Sequence, residues 1–253
     1  MEICADTRIS TTLLVLSKDN LFLCVDSSPS SFQIDCPFDA QQIYVCSACF
    51  ILRSSVGYSV IAPHRDDESL TVRSVDLPLS PSLDFISFHA TQLLLFGLTS
   101  TGNIYSIDLF DSSKCVDISL PAKCSQISTT DTSVAFVLQN GDSYLLDLTS
   151  KPATPQRLPL SNVQQLILGE SFSLCLTGDG VSLLLDMNNF DNIQSLDLQV
   201  KHASFHNDHL LCSTTSSLYV FAPGTSLDPI WSYPMNDVSD VSASSLGFFC
   251  FLV

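Results

Sequence analysis

The chain has 253 residues, 45% of them hydrophobic, and its 26 acids against 10 bases give a formal charge of −16. That apolar share supports a sizeable core and excludes general disorder, while the length suits one large all-β domain or two ordinary ones. The Lys and Arg residues are scattered with no two adjacent, so direct binding to nucleic acid or an anionic membrane surface is not expected.

The N-terminal residues Met1-Glu2-Ile3-Cys4-Ala5-Asp6 carry acid where a secretory signal needs a basic start, and no apolar stretch follows before Leu13. No Asn-X-Ser/Thr triplet occurs anywhere. These features predict a cytoplasmic or nuclear protein with its ten cysteines reduced. Several cysteines, among them Cys24, Cys175, Cys212 and Cys250, lie inside apolar runs as small hydrophobes do.

Leu13 to Asp26 forms the first strand–turn–strand pattern, closed by Asp26. Cys46-Ser47-Ala48-Cys49 follows as a lone C-x-x-C; with no second pair and a strand rather than a helix after it, buried packing is expected. Phe50 to Ile61 makes the second hairpin. It leads into His64-Arg65-Asp66-Asp67-Glu68, the only charge run and a candidate partner-binding loop, since loops on a rigid scaffold are where binding concentrates.

Three stretches then share one layout: Leu93 to Asp108, Val134 to Asp147, and Phe172 to Asp186. Their turn glycines Gly102, Gly141 and Gly180 are 39 residues apart, and so are the closing aspartates Asp108, Asp147 and Asp186. Asn140-Gly141 and Asp179-Gly180 predict type I′ turns. The aspartates are expected to cap or brace the hairpins. A shorter strand follows each hairpin, such as Cys115 to Leu120 or Ser195 to Val200, and a fourth, such as Gln164 to Leu168, leads into the next unit. Four strands in about 40 residues is a propeller-blade pattern.

The predicted fold is therefore all-β: one β-propeller domain spanning 1–253, with six to seven four-stranded blades and seven favoured. The units run 10–46, 47–89, 90–129, 130–168, 169–206 and 207–244, with a partial unit at 245–253. That last piece, holding Phe248, Phe249 and Phe251, reads as an apolar strand with no sequential hairpin partner: it closes the ring against N-terminal residues, or pairs with another chain as a second candidate partner-binding element, or belongs to a longer protein. Its Cys250-Phe251-Leu252-Val253 formally fits a prenylation box, but the buried-strand pattern and the lack of a basic segment argue against lipidation at Cys250. No apolar run reaches the roughly 20 residues of a membrane-spanning helix.

Leu98-Thr99-Ser100-Thr101-Gly102-Asn103-Ile104-Tyr105 and Leu176-Thr177-Gly178-Asp179-Gly180-Val181 resemble the core of the regulator-of-chromosome-condensation repeat. That family continues with Trp-Gly and Gly-Gln-Leu-Gly; here Asp108, Asp147 and Asp186 stand in that place instead. Hairpins closing on Tyr-Ser-Ile-Asp or Leu-Leu-Leu-Asp also look like quinoprotein-type and WD-type blades, without the Trp-Asp or Gly-His of the latter. The resemblance implies a propeller, which hosts scaffolds, exchange factors and enzymes alike.

His202, His206 and His209 form the densest group of metal-capable side chains, but a polar strand end is the expected reading and no metal or cofactor is predicted. No phosphate loop, G-x-S-x-G elbow or H-E-x-x-H is present. The expected function is thus a non-catalytic protein-interaction scaffold within a multi-protein complex. The alternatives are a regulator-of-chromosome-condensation-like modulator of a small GTPase, and an enzyme using carboxylates in the central channel.

Overall fold

The computed structural model describes residues 2–6, 12–17, 20–25, 31–34, 41–46, 49–66, 69–91, 93–109, 111, 114–206, 208–224, 227–244 and 247–252, with the backbone alone given for 2–34, 45, 62–74, 242–249 and 251–252. Among these every helix or strand is a strand. They divide into two compact units, Met1–Ser119 and Leu120–Val253.

The first unit holds three four-stranded antiparallel sheets. They are β1 (Glu2–Asp6), β2 (Thr12–Ser17), β3 (Asn20–Val25), β4 (Ser31–Ile34); then β5 (Gln42–Val45), β6 (Phe50–Arg53), β7 (Tyr58–Asp66), β8 (Ser69–Asp76); then β9 (Phe85–Ala90), β10 (Leu94–Thr99), β11 (Ile104–Asp108), β12 (Cys115–Asp117). The second unit holds three more, β13 (Cys124–Thr129) to β16 (Gln156–Arg157) through β14 (Ser133–Leu138) and β15 (Ser143–Asp147); β17 (Val163–Leu168), β18 (Phe172–Thr177), β19 (Ser182–Asp186), β20 (Asn189–Leu196); and β21 (His202–His206), β22 (His209–Ser213), β23 (Ser217–Phe221), β24 (Trp231–Pro234). A two-stranded sheet follows, β25 (Val238–Ser244) with β26 (Gly247–Leu252).

In each four-stranded sheet the strands pair in chain order, and within each unit the first strands of successive sheets lie side by side. The 39-residue repeat is visible where these first strands begin, at Phe85, Cys124, Val163 and His202. The sheets therefore start a few residues before the sequence-derived units did. The strand expected to close one unit, Gln164 to Leu168, is the opening strand of the next sheet and pairs with β18. The hairpin glycine is the strongest local signal, so a frame hung on it places this strand on the wrong side of the boundary.

Alternation explains the near-continuous apolar runs, because neighbouring residues of a strand face opposite sides of its sheet. In β18, Leu174 packs with Leu184, Leu210 and Phe221, while adjacent Cys175 packs with Ala135, Leu166 and Leu185. In β22, Leu210 and Cys212 face that first group, and Leu211 faces Leu218, Val220 and Val241. A sheet covered on both faces needs apolar side chains at every position. In the first unit Tyr44, Ile51, Tyr58, Phe85, Phe88 and Leu95 form one such layer. Cys46 and Cys49 are buried within it.

The hairpin turns differ from the expected type I′. Gly141 N–H donates to Leu138 O at 2.9 Å and Leu138 N–H to Asp142 O at 2.8 Å, with Gly141 at φ +81° and Asn140 not at positive φ. Gly102 and Gly180 repeat this arrangement. These are three-residue loops in which a single glycine takes the left-handed conformation and forms a bulge. Asn and Asp fit the position before it without needing positive φ.

Candidate interaction surfaces

The closing aspartates organise the strand ends. Asp108 Oδ1 accepts from Asp111 N–H at 3.1 Å, Asp147 Oδ1 from Thr149 N–H at 2.8 Å, and Asp186 Oδ1 from Asn188 N–H at 2.9 Å. Such side chain-to-backbone bonds satisfy donors where the ladder stops. The Thr149 hydroxyl and amide hold the Asp147 carboxyl below its ordinary pKa, and the Thr177 hydroxyl does the same for Asp179.

Of the charge run expected in a loop, His64, Arg65 and Asp66 form the end of strand β7. His64, Arg65 and Asp66 pair by backbone with Thr71, Leu70 and Ser69. Of β7, only Tyr58 to Ile61 pair with β6, so the β7–β8 ladder from Ala62 to Asp66 continues past β6 as a two-stranded ribbon. Asp67 and Glu68 lie outside the described residues.

Phe248, Phe249 and Phe251 lie in β26, and that strand does have a sequential partner. Phe248 pairs with Ala243, Phe249 with Ser242 and Phe251 with Asp240. The expectation of an unpaired final strand is corrected here. Val238-Ser239-Asp240-Val241-Ser242-Ala243-Ser244 has too few large apolar residues to stand out in the sequence, yet Val241 is buried against Leu211, Leu218 and Val220. Cys250 packs onto the same cluster, 3.5 Å from Met235 Sδ.

A third surface escaped the sequence reading. Trp231 and Tyr233 stand on β24, the outermost strand of its sheet, with ring centroids 5.9 Å apart and planes within 5° of parallel. They are 49% and 51% exposed, and neighbouring Ile230 is 57% exposed. The alternation Pro229-Ile230-Trp231-Ser232-Tyr233-Pro234 between two prolines was the available signal, since it places both rings on one face of an edge strand.

Among the concavities of the second unit, one of about 420 Å³ is lined by Arg157 to Ser161, and two others bring polar or aromatic side chains together. One, about 470 Å³, is lined by Gln126, Gln165, Thr177, Ser182 and Lys201 among others, with no His, Cys, Asp or Glu. The other, about 290 Å³, is lined by Tyr219, Phe221, Leu227 and Pro229 with Asp197 and Asp228. His202 Nδ1 lies 3.9 Å from Asp240 Oδ1, while His206 pairs across the strands with His209. Among the described residues no three His, Cys, Asp or Glu side chains gather as metal ligands would, and no helix is long and apolar enough to cross a membrane.

No protein-family model matches the chain, and no curated protein matches it in sequence. Solved structures do. Human WBSCR16 is 14% identical with a TM-score of 0.66, over 91% of this chain and 81% of that one. PorZ, described as an essential bacterial surface component of the type-IX secretion system of Porphyromonas gingivalis, is 12% identical with a TM-score of 0.61. That match covers 99% of this chain and 36% of PorZ. The likeness is one of fold. It agrees with the repeated four-stranded sheets in pointing to a propeller-like architecture.

Proposed function

We propose that this chain is a non-catalytic protein-interaction scaffold, a subunit of a multi-protein complex, built as a propeller whose six full sheets and one half-sheet make seven blades. The observation that carries the reading is the exposed Trp231 and Tyr233 on one outer strand, with exposed Ile230 just before it. Tryptophan and tyrosine are enriched where partners bind, because each covers much area while fixing few torsions. The concavity of about 470 Å³ is lined by Ser125, Ser182 and Lys201 among others, with no His or carboxylate in its lining. The acidic surface suits a basic partner. Cys49, Cys115, Cys124, Cys175, Cys212 and Cys250 are free thiols, which supports a cytoplasmic or nuclear setting.

Native affinity capture of the tagged chain, followed by measurement of the mass of the eluted assembly, tests the reading. The expected result is a stoichiometric complex with another polypeptide. A monomer that retains nothing through a gentle wash would overturn it.

A further inference from the structure

The β17–β20 and β21–β24 sheets share a buried layer that holds Leu174, Leu184, Leu196, Leu210 and Phe221. The layer before it, which the β17–β20 sheet shares with the β13–β16 sheet, is closed on its outer side by β20. There Ile193 pairs with Leu185, and Ile193 and Phe190 pack onto the cluster that holds Leu145, Leu158 and Leu185. β24 takes the corresponding place in the next sheet with different side chains. It sets Ser232 opposite Tyr219, and Ile230, whose N–H continues the ladder to Val220 O at 2.8 Å, is 57% exposed. The space left on that side is the cavity of about 290 Å³, walled by Leu198, Tyr219, Phe221, Leu227 and Pro229. Ligand sites run from about 300 to 1,000 Å³, so this one suits a single side chain rather than a cofactor.

Charge selects the occupant. Asp197 and Asp228 line the same cavity, and its lining holds no Lys, Arg or His. Both aspartates are exposed, which places them at the mouth of the apolar space. Among the described residues the Asp197 carboxylate makes no hydrogen bond or ion pair. No nearby base can supply one. From Leu158 to Val253, the stretch that holds both sheets, Lys201 is the one Lys or Arg against nine acids, and it lines the concavity of about 470 Å³ instead. Apolar and aromatic walls with carboxylates at the mouth fit a side chain that is aliphatic along its stem and cationic at its end.

We infer that this cavity takes a Lys or Arg side chain of another polypeptide, with its methylenes on Leu198, Phe221 and Pro229 and its cation at the Tyr219 ring and the two aspartates. The rings of Tyr219 and Phe221, with centroids 6.1 Å apart, give the cation an electron-rich wall. An apolar side chain of the same length would gain the contacts without the attraction, and a carboxylate would be repelled. A second copy of this chain is a poor source, since its charge of −16 opposes its own approach. The inference rests on the scaffold reading and names the side chain through which the partner is recognised.

The test titrates the full chain, its leucine methyls labelled for NMR, with short peptides acetylated and amidated so that no terminus carries charge. The central residue is Lys, Glu, or norleucine, which keeps the aliphatic stem without the cation. The expected result is a saturable shift of the Leu198 and Leu227 methyls with the Lys peptide, binding about tenfold weaker for the norleucine peptide, and none for the Glu peptide. Asp197→Asn together with Asp228→Asn keeps the side-chain size and should abolish the preference, so that the Lys and norleucine peptides bind alike. Unchanged binding of the norleucine peptide shows that the cavity of this variant is intact. No methyl shift with the Lys peptide, or equal binding of the Lys and norleucine peptides by the natural chain, would overturn the inference. So would a dimer of the free chain in which these methyls are already covered. A captured complex that the Asn pair leaves equally stable would sink this inference while the scaffold reading stood; a chain that binds the Lys peptide as expected but captures no complex would do the reverse.

Discussion

The side chain of Gln126 grips the backbone of Leu166 in the next sheet: its Oε1 accepts from Leu166 N–H at 2.9 Å, and its Nε2 donates to Leu166 O at 3.3 Å. Ser128 Oγ accepts from Leu168 N–H at 3.0 Å two residues further along. First strands of adjacent sheets make no mutual ladder here. Their facing backbone groups need side-chain partners instead.

Gln126→Leu removes both bonds and leaves the amide and carbonyl of fully buried Leu166 unpaired. The expected loss is about 1–3 kcal/mol, read as a lower urea midpoint with unchanged slope. An unchanged midpoint would mean that water replaces the glutamine without cost.

Gly141 and Gly180 share the same left-handed backbone but not the same surroundings. A Cβ on Gly141 would sit 3.0 Å from Asn162 Cα, whereas one on Gly180 meets nothing within 4 Å. Gly180→Ala should cost about 1–2 kcal/mol from backbone strain alone, and Gly141→Ala more than that. Paired thermal melts check the order; equal losses would contradict it.

Gly97 acts through space rather than through conformation. A Cβ there would lie 2.5 Å from the Phe85 ring and 2.8 Å from that of Phe88, two rings stacked at 4.6 Å. Gly97→Ala should overpack this layer and cost about 1–3 kcal/mol, measured by the same denaturation. Tyr58, whose hydroxyl donates to Leu83 O at 2.6 Å, lies edge-on to Phe85 and would be displaced with it.

Burial pushes the thiols of Cys124 and Cys175 up to about 11 and that of Cys212 up to about 12. All three should resist iodoacetamide at pH 8 in the folded chain and react in urea, as peptide mass mapping would show. Half-buried Cys115, raised less by its burial and by Asp117 nearby, should react before them. The sign for stability follows. Below pH 9 these thiols keep their protons in both states; from pH 9 towards 11–12 only the unfolded chain gives them up, so stability should fall as pH rises through that window. Burial raises Tyr44 and Tyr58 as well and steepens the same decline.

Much of this architecture is legible in the sequence because the repeat is local. The 39-residue spacing of Gly102, Gly141 and Gly180 fixes hairpins whose registers match the expected strands, Leu94 to Asp108, for example, pairing end to end. The boundary between sheets is not legible in the same way. Whether Gln164 to Leu168 pairs backwards or forwards depends on packing with β18, which no local pattern records. β25 was missed because Val238 and Val241 are its only residues with large apolar side chains, set among serines. The aromatic pair was passed over because a lone Trp-Ser-Tyr between prolines carries chemistry only once β24 is known to be outermost. His64, Arg65 and Asp66, expected in a loop from their charge, lie instead within β7 and pair with Thr71, Leu70 and Ser69.

The most direct measurement is hydrogen exchange on the complex captured with this chain, compared with the free protein, followed at 231–234. The account expects this segment to be strongly protected in the complex. Exchange at the free-chain rate in β24, in a complex that is otherwise intact, would contradict it.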